Sequence, residues 1–554
     1  MQLCENEVRV FGPPGTGKTT WTQRQIYRAA EHYGTDKVLA GSYARASAAE
    51  LAGRDLPIPP DHVGTLHSLC FHALGRPGIA DTPKWLKHWN EEYPTFAIVL
   101  SGNDDLDNPF SDGGSDGTRL LQQVNICRAK MLPEDTWPSL EARAFWKRWC
   151  AWKVEHTLMD FQDLISEARL TLMTAPGAPR IAFFDEAQDF TKSELALVRG
   201  WGQHMDRLVL IGDDDQCIYS FKGCDPNAFL DPPIPDDRKI QLRQSYRVPK
   251  VIHKWATAWL SRLRRRESKP YIPRDAEGSI DHAMDELTWK NPDAIVERLL
   301  HAYDRWDGSP TPHKFMLLAS CGYMLAGLKR ALREAGVPFH NPLRPEQGDW
   351  NPLRHGERRR VVLLDRLLAF LRPLPAVWGE AAAMWTRRDV QCWLPMLRSK
   401  GILTQGAKAA VKVLGKDQPE GFMGETVTLD ELESWIAPGS FGPLMAGDVG
   451  WLAAHAATNA REHLAYPLAV MRRFGGKALR EAPKLVIGTI HSSKGGEAAE
   501  VWIFPDLSPS GMEEEETGTT GRDAVTRMFY VGFTRARERL VLCPPATKFH
   551  VEWS

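Results

Sequence analysis

The chain lacks an excess of charge of either sign: its formal net charge is −1. Overall attraction therefore contributes nothing to nucleic-acid affinity, and contact with a polyanion has to come from local basic patches. No apolar run reaches the ~18 residues needed to span a bilayer. The N-terminus carries no signal pattern, because an apolar, strand-like stretch starts almost at once. The nine cysteines, among them Cys4, Cys70, Cys217 and Cys543, include no C-x-x-C pair. That argues against a zinc ribbon, an iron–sulfur cluster of standard spacing or a secreted disulfide framework, and makes a reducing, cytoplasmic location the expectation. No internal repeat is visible. What is present is the composition of a soluble globular protein, 554 residues long with 43% hydrophobic and 25% charged residues. It has room for three or four domains of roughly 150 residues. Twenty tryptophans is a high number. Trp85, Trp89, Trp146, Trp149 and Trp152 fall in helix-like stretches, where core packing is the expected use.

The strongest local signal is Phe11-Gly12-Pro13-Pro14-Gly15-Thr16-Gly17-Lys18-Thr19-Thr20. It matches G-x-x-x-x-G-K-[ST], follows an apolar run at residues 8–11 and opens a helix-like segment at 21–33. Strand, loop and helix together are the context a phosphate-binding loop requires. Its glycines let backbone N–H groups curl around a phosphate, and the helix N-terminus adds partial positive charge. Lys18 is placed for the β- and γ-phosphates, and the Thr19 hydroxyl for Mg²⁺. The alternative is a chance glycine-rich turn, which the flanking pattern disfavours.

Further strands are predicted at 38–41, 180–184, 207–211, 315–319, 484–488, 501–504 and 540–543. Several run directly into polar motifs. Ser42-Tyr43-Ala44-Arg45 places a Tyr and an Arg at a strand's C-terminal end, where parallel sheets hold ligands. Val63-Gly64-Thr65-Leu66-His67 is a strand-to-helix junction. Phe183-Phe184 runs into Asp185-Glu186-Ala187-Gln188-Asp189, and Thr191 with Glu194 offers a capping box for the next helix. Residues 76–160 change character: helical patterns at 119–131 and 140–155 follow a polar stretch, 101–118, expected to be an exposed loop. A second helical, tryptophan-rich region runs from about 343 to 482 without a convincing strand. Residues 512–526, with four consecutive glutamates, are expected to form a solvated loop. Arg537 and Arg539 are expected at a solvated helix end.

The ordered set of motifs resembles a UvrD/Rep-type superfamily 1 DNA helicase. It comprises the phosphate loop, Ser42-Tyr43-Ala44-Arg45, Gly64-Thr65-Leu66-His67, Asp185-Glu186-Ala187-Gln188, Gly212-Asp213-Asp214-Asp215-Gln216, Tyr246-Arg247, Thr489-Ile490-His491-Ser492-Ser493-Lys494-Gly495 and Tyr530-Val531-Gly532-Phe533-Thr534-Arg535-Ala536. The resemblance implies an α/β fold with two RecA-like P-loop domains in one chain, each interrupted by a mainly α-helical insertion. The implied boundaries are 1–75 plus 156–245 for the ATP-binding domain 1A and 76–155 for insertion 1B. Domain 2A would take 246–342 plus 483–554, and insertion 2B 343–482.

The same resemblance implies an ATP-dependent, 3′-to-5′ DNA translocase and helicase that acts on single-stranded DNA and single/double-strand junctions. Asp185 would hold Mg²⁺ with Thr19, and Glu186 would act as general base on the attacking water. Gln188 and Gln216 match the family's γ-phosphate sensors, and Arg247 and Arg535 its two arginine fingers. Glu497 matches the ribose contact and Tyr246 the adenine stacker. Tyr43 and Phe221 occupy base-stacking positions, which suits a motor that must ignore sequence. Thr65, His67, Thr489 and His491 line the strand path, and Arg45 is placed for a phosphate. Core or capping roles for His67 and His491 remain open.

There are departures. The family's upstream glutamine motif has no room before Gly12, and Thr20 stands where an adenine-stacking arginine is frequent, so nucleotide selectivity is open. Phe221 replaces a usual tryptophan, Lys222 an arginine and Gly496 a leucine. The 398–406 stretch is similar to the family's duplex-contact hairpin, with an ordinary helix-connecting loop as the alternative. Two other functions stay open: a single-strand translocase without unwinding, and a nucleotide-dependent DNA-binding switch. An RNA motor ranks lower, and the short stretch after Cys543 leaves no space for a nuclease domain. The sequence names no protein partner and implies no membrane association.

Overall fold

A computed structural model describes residues 4–43, 53, 55–99, 115–306, 308, 311, 313–345, 347–356, 361–416, 421–517 and 519–553. Arg45, expected on the nucleic-acid path, and most of the expected 101–118 loop lie outside them. The chain divides into two compact units. The first contains residues 1–284, 318–323 and 489–554; the second contains 285–317 and 324–488. Among the described residues no helix is long and apolar enough to cross a membrane.

The first unit is built on a six-stranded sheet. Its strands lie in the order Val63–Thr65, Val38–Ser42, Ile181–Asp185, Arg207–Gly212, Glu7–Phe11 and Lys239–Gln241, and neighbours run parallel. The central strands read as continuous apolar runs because both faces are covered, as parallel sheets require. Phe11, Leu39, Phe184 and Leu210 pack into one buried layer; Val10, Val38, Phe183 and Ile211 pack into the other. All the strand C-termini therefore open on one edge, where Gly12, Tyr43, Glu186 and Asp213 leave the sheet. Three further strands of this unit, Ser279–His282, Ala536–Leu542 and Ala498–Ile503, also pair in parallel.

A helical subregion interrupts the first sheet. Helices Pro83–Glu92, Asp116–Ala129 and Leu140–Glu155 close on a core of Trp89, Phe145, Trp149 and Trp152. Trp89, Trp149 and Trp152 thus pack the interior, as expected, while Trp85 and Trp146 are half-buried against it. Ser139 accepts from the Ala142 N–H and caps the third helix; such a cap contributes about 1 kcal/mol. The predicted capping box also forms: the Thr191 hydroxyl accepts from the Glu194 N–H, while Glu194 Oε2 accepts from the Thr191 N–H at 2.7 Å.

The second unit is mainly helical, from Leu363–Phe370 to Thr458–Phe474. Its buried tryptophans include Trp350, Trp385 and Trp393. Within it Phe339–His340 pairs in parallel with Leu485–Thr489. The 398–406 stretch connects the Leu394–Met396 turn to the Ala407–Val413 helix; it is a helix-connecting loop rather than a two-stranded hairpin.

Two expectations are corrected. Residues 512–526 are not a loop, because helices Pro509–Thr517 and Thr519–Phe533 run through them. Consecutive glutamates are good helix formers, and the second helix is anchored by buried Val525, Met528 and Phe529. Arg537 and Arg539 do not end a helix. They lie on the Ala536–Leu542 strand, and both are ion-paired, Arg537 to Glu497 and Arg539 to Asp281.

Candidate functional site

The phosphate loop bridges the Glu7–Phe11 strand and the Lys18–Tyr33 helix. Gly17 stands at the helix N-cap in the left-handed region, φ 76°. Gly15 also has φ +75°, and a Cβ there would fall 2.5 Å from Arg247 Cβ. The close approach of the 244–249 strand thus requires glycine at this position. Three bonds hold that approach. The Tyr246 N–H donates to Gly15 O at 2.8 Å, and Ser245 Oγ and Tyr271 Oη donate to Pro14 O at 2.9 and 2.8 Å. The Lys18 ammonium donates to Gly12 O at 2.9 Å, folded over its own loop. Pro13, Thr16 and Thr19 complete the cradle; Thr16 Oγ1 donates to Pro13 O, and Thr20 is exposed.

Asp185 ends its strand, 2% exposed, and its Oδ1 accepts from the Glu186 N–H at 2.9 Å. Glu186 turns away with φ 54°, a left-handed conformation that costs a non-glycine residue about 1–3 kcal/mol and recurs at functional sites. Burial alone would push its carboxyl up. Lys18 and Lys494 more than offset that and hold it down at about 2. The Gln188 amide donates to Glu186 Oε2 at 2.5 Å, while its Oε1 accepts from the Asp213 N–H at 2.9 Å. A Cβ on Gly212 would lie 2.4 Å from that Oε1, so Gly212 makes room for the Gln188 amide.

Lys494 is the cation of this corner. It pairs with Asp189, lies 3.6 Å from Glu186 and donates to Gln216 O at 2.9 Å. Asp189 is over-buried for one partner: burial pushes its carboxyl up to about 7 in spite of Lys494.

Gln216 donates to Asp213 Oδ2 at 2.8 Å and accepts from Arg535 Nη2 at 3.2 Å. Arg535 is 1% exposed. It also donates to Val531 O, Gly496 O and Thr534 Oγ1, all neutral oxygens. Burial, then the nearby Arg247 charge, lowers its guanidinium to about 9. Arg247 pairs with Glu497 Oε2 at 2.6 Å, and Arg537 holds the other oxygen at 2.7 Å. Glu497 is therefore clamped between two guanidiniums. Tyr246, beside it, leaves 66% of its surface exposed, a ring open to stacking.

The turn that carries Gln216 is fixed from behind. The Lys269 ammonium, 1% exposed, pairs with Asp213, Asp214 and Asp215 at 2.9, 2.5 and 2.9 Å. Arg266 adds a bond to Asp215 at 2.6 Å. The sequence offers no signal for this lock, since Lys269 follows a basic run that reads as a solvated face.

At the mouth of the sheet, aromatic rings form a continuous row. Tyr43 stacks on Tyr219 at 5.6 Å between centroids. Tyr219 meets Phe221 at 6.0 Å and His491 at 6.1 Å, and Phe221 meets His491 at 5.4 Å. Tyr43 and Phe221 are thus joined through Tyr219, which sequence reasoning passed over although it sits two positions before Phe221. Lys222 Nζ lies 4.9 Å from the Tyr219 ring centre. The other path residues have local work. Thr65 caps its helix by accepting from the Ser68 N–H, and Thr489 Oγ1 accepts from the Ser492 N–H. His67 lies 3.6 Å from Glu194, and His491 Nε2 lies 3.1 Å from Ile218 O.

A parallel sheet with a phosphate loop, an acidic strand end, buried Arg535 and half-buried Arg247 beside it defines a P-loop nucleotide-binding protein. The comparisons narrow this. Residues 1–232 match the model of the UvrD/REP helicase N-terminal domain. YjcD of Bacillus subtilis is 24% identical over 275 residues, which are 44% of this chain and 35% of that protein. UvrD2 of Mycobacterium tuberculosis, named an ATP-dependent DNA helicase, is 25% identical over 287 residues, 44% of this chain and 40% of that protein. A "Probable DNA helicase II homolog" of Mycoplasma pneumoniae is 24% identical over 596 residues, 96% of this chain and 81% of that protein. The likeness to the UvrD/Rep type is carried by residues 1–232 and by relatives that are 24–25% identical. The chain's matches to YjcD and UvrD2 span well under half of either protein.

Proposed function

We propose that this chain is an ATP-dependent DNA helicase that translocates 3′-to-5′ on single-stranded DNA and engages single/double-strand junctions. The observation that carries the proposal is Arg535. A guanidinium buried among neutral oxygens, and hydrogen-bonded to Gln216, is stabilised by an incoming anion. Lys18, folded over the phosphate loop, supplies the matching cation. A nucleoside triphosphate is the anion that this loop accommodates.

The donors present fit the expected groups. The cradle has two glycines with φ near +75°, and Thr19 and Asp185 offer the hydroxyl and carboxylate that hold Mg²⁺ in P-loop enzymes. When bound, the cation neutralises charge on the β- and γ-phosphate oxygens. The chain's own residues do the rest. An anion held by Lys18 cancels one of the cations that keep Glu186 acidic, so its carboxylate becomes a better base as the substrate seats. Gln188 orients that carboxylate, while Arg247 and Arg535 face the developing negative charge. The strand after Gln244 is bonded directly to the phosphate loop, so a change at the phosphates is felt by Arg247. The aromatic row from Tyr43 through Tyr219 to Phe221 and His491 serves as the stacking track for single-stranded DNA.

We assign domain 1A to 1–75 plus 156–245, 1B to 76–155, 2A to 246–342 plus 483–554, and 2B to 343–482. A cytoplasmic location follows from the proposed substrate.

Steady-state ATPase with and without single-stranded DNA tests the reading, with Glu186→Gln as control. Glu186→Gln is expected to lower turnover about 10²–10⁴-fold while nucleotide binding persists. Strand displacement on 3′-tailed but not 5′-tailed duplex is expected in parallel. DNA-stimulated hydrolysis without displacement would assign a translocase instead, and hydrolysis indifferent to DNA would defeat the proposal.

A further inference from the structure

Outside the nucleotide pocket, the helical subregion brings together three side chains with no part in the proposed chemistry. His88 and Glu92 are one turn apart on the Pro83–Glu92 helix and share a face. His156 caps the C-terminal end of the Leu140–Glu155 helix. One ligand atom from each of the three lies within 4.8 Å of the others. Glu92 Oε2 is 4.0 Å from both His88 Nδ1 and His156 Nε2, and the two imidazole centroids are 4.9 Å apart.

Two independent features point to a cation. His156 Nε2 is shielded from solvent and has no hydrogen-bond partner, which leaves a lone pair or an N–H unsatisfied at a cost of about 1–3 kcal/mol. Glu92 Oε2 already accepts from the Trp152 indole N–H at 3.0 Å. That is the outer-shell bond that orients a ligating carboxylate. Trp85 and Trp152 wall the site at 5.5 and 5.0 Å from the His156 ring, and exposed His88 leaves it open on the solvent side. Two imidazoles and one carboxylate are a borderline donor set, suited to zinc among the common cellular cations and poorly suited to magnesium or calcium. Tetrahedral Zn²⁺ with bonds of ~2.0–2.1 Å wants ligand atoms about 3.3 Å apart. Side-chain rotation closes the present spacing to that value.

We propose that His88, Glu92 and His156 form a zinc site, with water in the fourth position, that clips the Pro83–Glu92 helix to the end of the Leu140–Glu155 helix. This does not rest on the proposed helicase activity.

The test uses the untagged, metal-stripped full-length chain. Titration with Zn²⁺ is expected to give one equivalent by calorimetry and to raise the thermal transition, with no rise for Mg²⁺ or Ca²⁺. Co²⁺ is expected to give the visible bands of a tetrahedral nitrogen/oxygen site without a thiolate charge-transfer band. That distinguishes it from binding at the nine free cysteines. The His88→Ala/His156→Ala variant is expected to lose the Zn²⁺-dependent rise while its transition in chelator stays where the parent's is. Should the double variant fail to fold, exposed His88→Asn alone is expected to weaken binding. The site is refuted by no zinc binding, by undiminished binding in the variant, or by a cobalt spectrum carrying the thiolate band.

Discussion

Two buried ionic clusters in the first unit contain the same side-chain types and behave differently. At the edge of the helical subregion, Asp160 and Asp163 face Arg128 and Lys153. Asp160 accepts from Arg128 at 2.9 and 2.8 Å, Lys153 at 2.5 Å and the Trp149 indole at 3.0 Å. Arg128 also reaches Asp163 at 2.6 Å. Two carboxylates meet two cations. Burial opposes the Asp160 charge, yet Arg128 and Lys153 hold that carboxyl well below the usual range. A third carboxyl nearby, Asp81, is pushed up to about 7 by burial and by Asp160; the cluster takes no further charge. In the nucleotide pocket the books do not balance. Arg535 has neutral partners, Asp189 Oδ1 has none, and Glu186 sits in a strained backbone conformation. A saturated cluster stabilises architecture; an unsaturated one carries buried charge that a ligand of opposite sign can compensate.

That contrast is breakable. Arg535→Ala is expected to lower DNA-stimulated turnover about 10³–10⁵-fold, the range for an arginine finger. Its thermal transition should fall less than that of Arg128→Ala, since hydrogen bonds but no ion pair are lost. Arg128→Ala is expected to do the reverse. Stripping one partner from a buried pair costs about 3–5 kcal/mol, to be read in urea melts, with turnover per folded molecule unchanged. If Arg535→Ala unfolds the protein, or Arg128→Ala silences a well-folded one, the distinction between the clusters fails.

A third change probes the aromatic row. Tyr219→Ala is expected to cost about 1–3 kcal/mol in single-stranded DNA affinity, the worth of one stacked base. Tyr219→Phe should keep most of it, because its hydroxyl makes only a long 3.4 Å bond to His491 O. Equal losses in the two variants would mean that the hydroxyl, not the ring, carries the contact.

The same contrast explains what was legible in the sequence. The motif loops were readable because each adjoins an apolar strand and uses residue types that few other roles demand together: Gly15-Thr16-Gly17-Lys18 and Asp185-Glu186 after one, Thr534-Arg535 before one. The Leu140–Glu155 helix was readable from its helical pattern; its Ser139 cap emerges only in the structure. Partners defined only by tertiary approach were not. Lys269 is a lysine in a basic run until three aspartates close on it, and Tyr271 is one aromatic among many until it reaches Pro14 O. Lys494 stood inside a recognised motif, but nothing local pairs it with Asp189. Arg537 was misread because alternating charge after a helix resembles a solvated end, whereas the strand aims alternate side chains at Glu497 and Asp281. The glutamate run was misread for a related reason: charge marks exposure, and exposure alone does not separate a helix face from a loop.

The smallest expected effect is the most diagnostic of how the pocket works. Lys494→Met removes one of the cations that hold Glu186 at about 2, so the carboxyl rises toward its ordinary 4.5. The sign is fixed: less positive charge favours the protonated form. In the parent, a carboxyl depressed in the folded state adds stability above about pH 4.5 that is lost as pH falls toward 2. The variant should lose part of that term, so its acid-unfolding curve becomes shallower at the low end. In the ATPase profile the acid limb should move up by about one pH unit, ~1.4 kcal/mol in proton affinity. The limb is measured with nucleotide saturating, so that Lys18 is engaged in both proteins. An acid limb that stays in place while turnover falls would show that Lys494 positions Asp189 or Gln216 and leaves the base untouched. A limb that moves in step with the acid-unfolding curve would identify Glu186 as the group whose ionisation both measurements report.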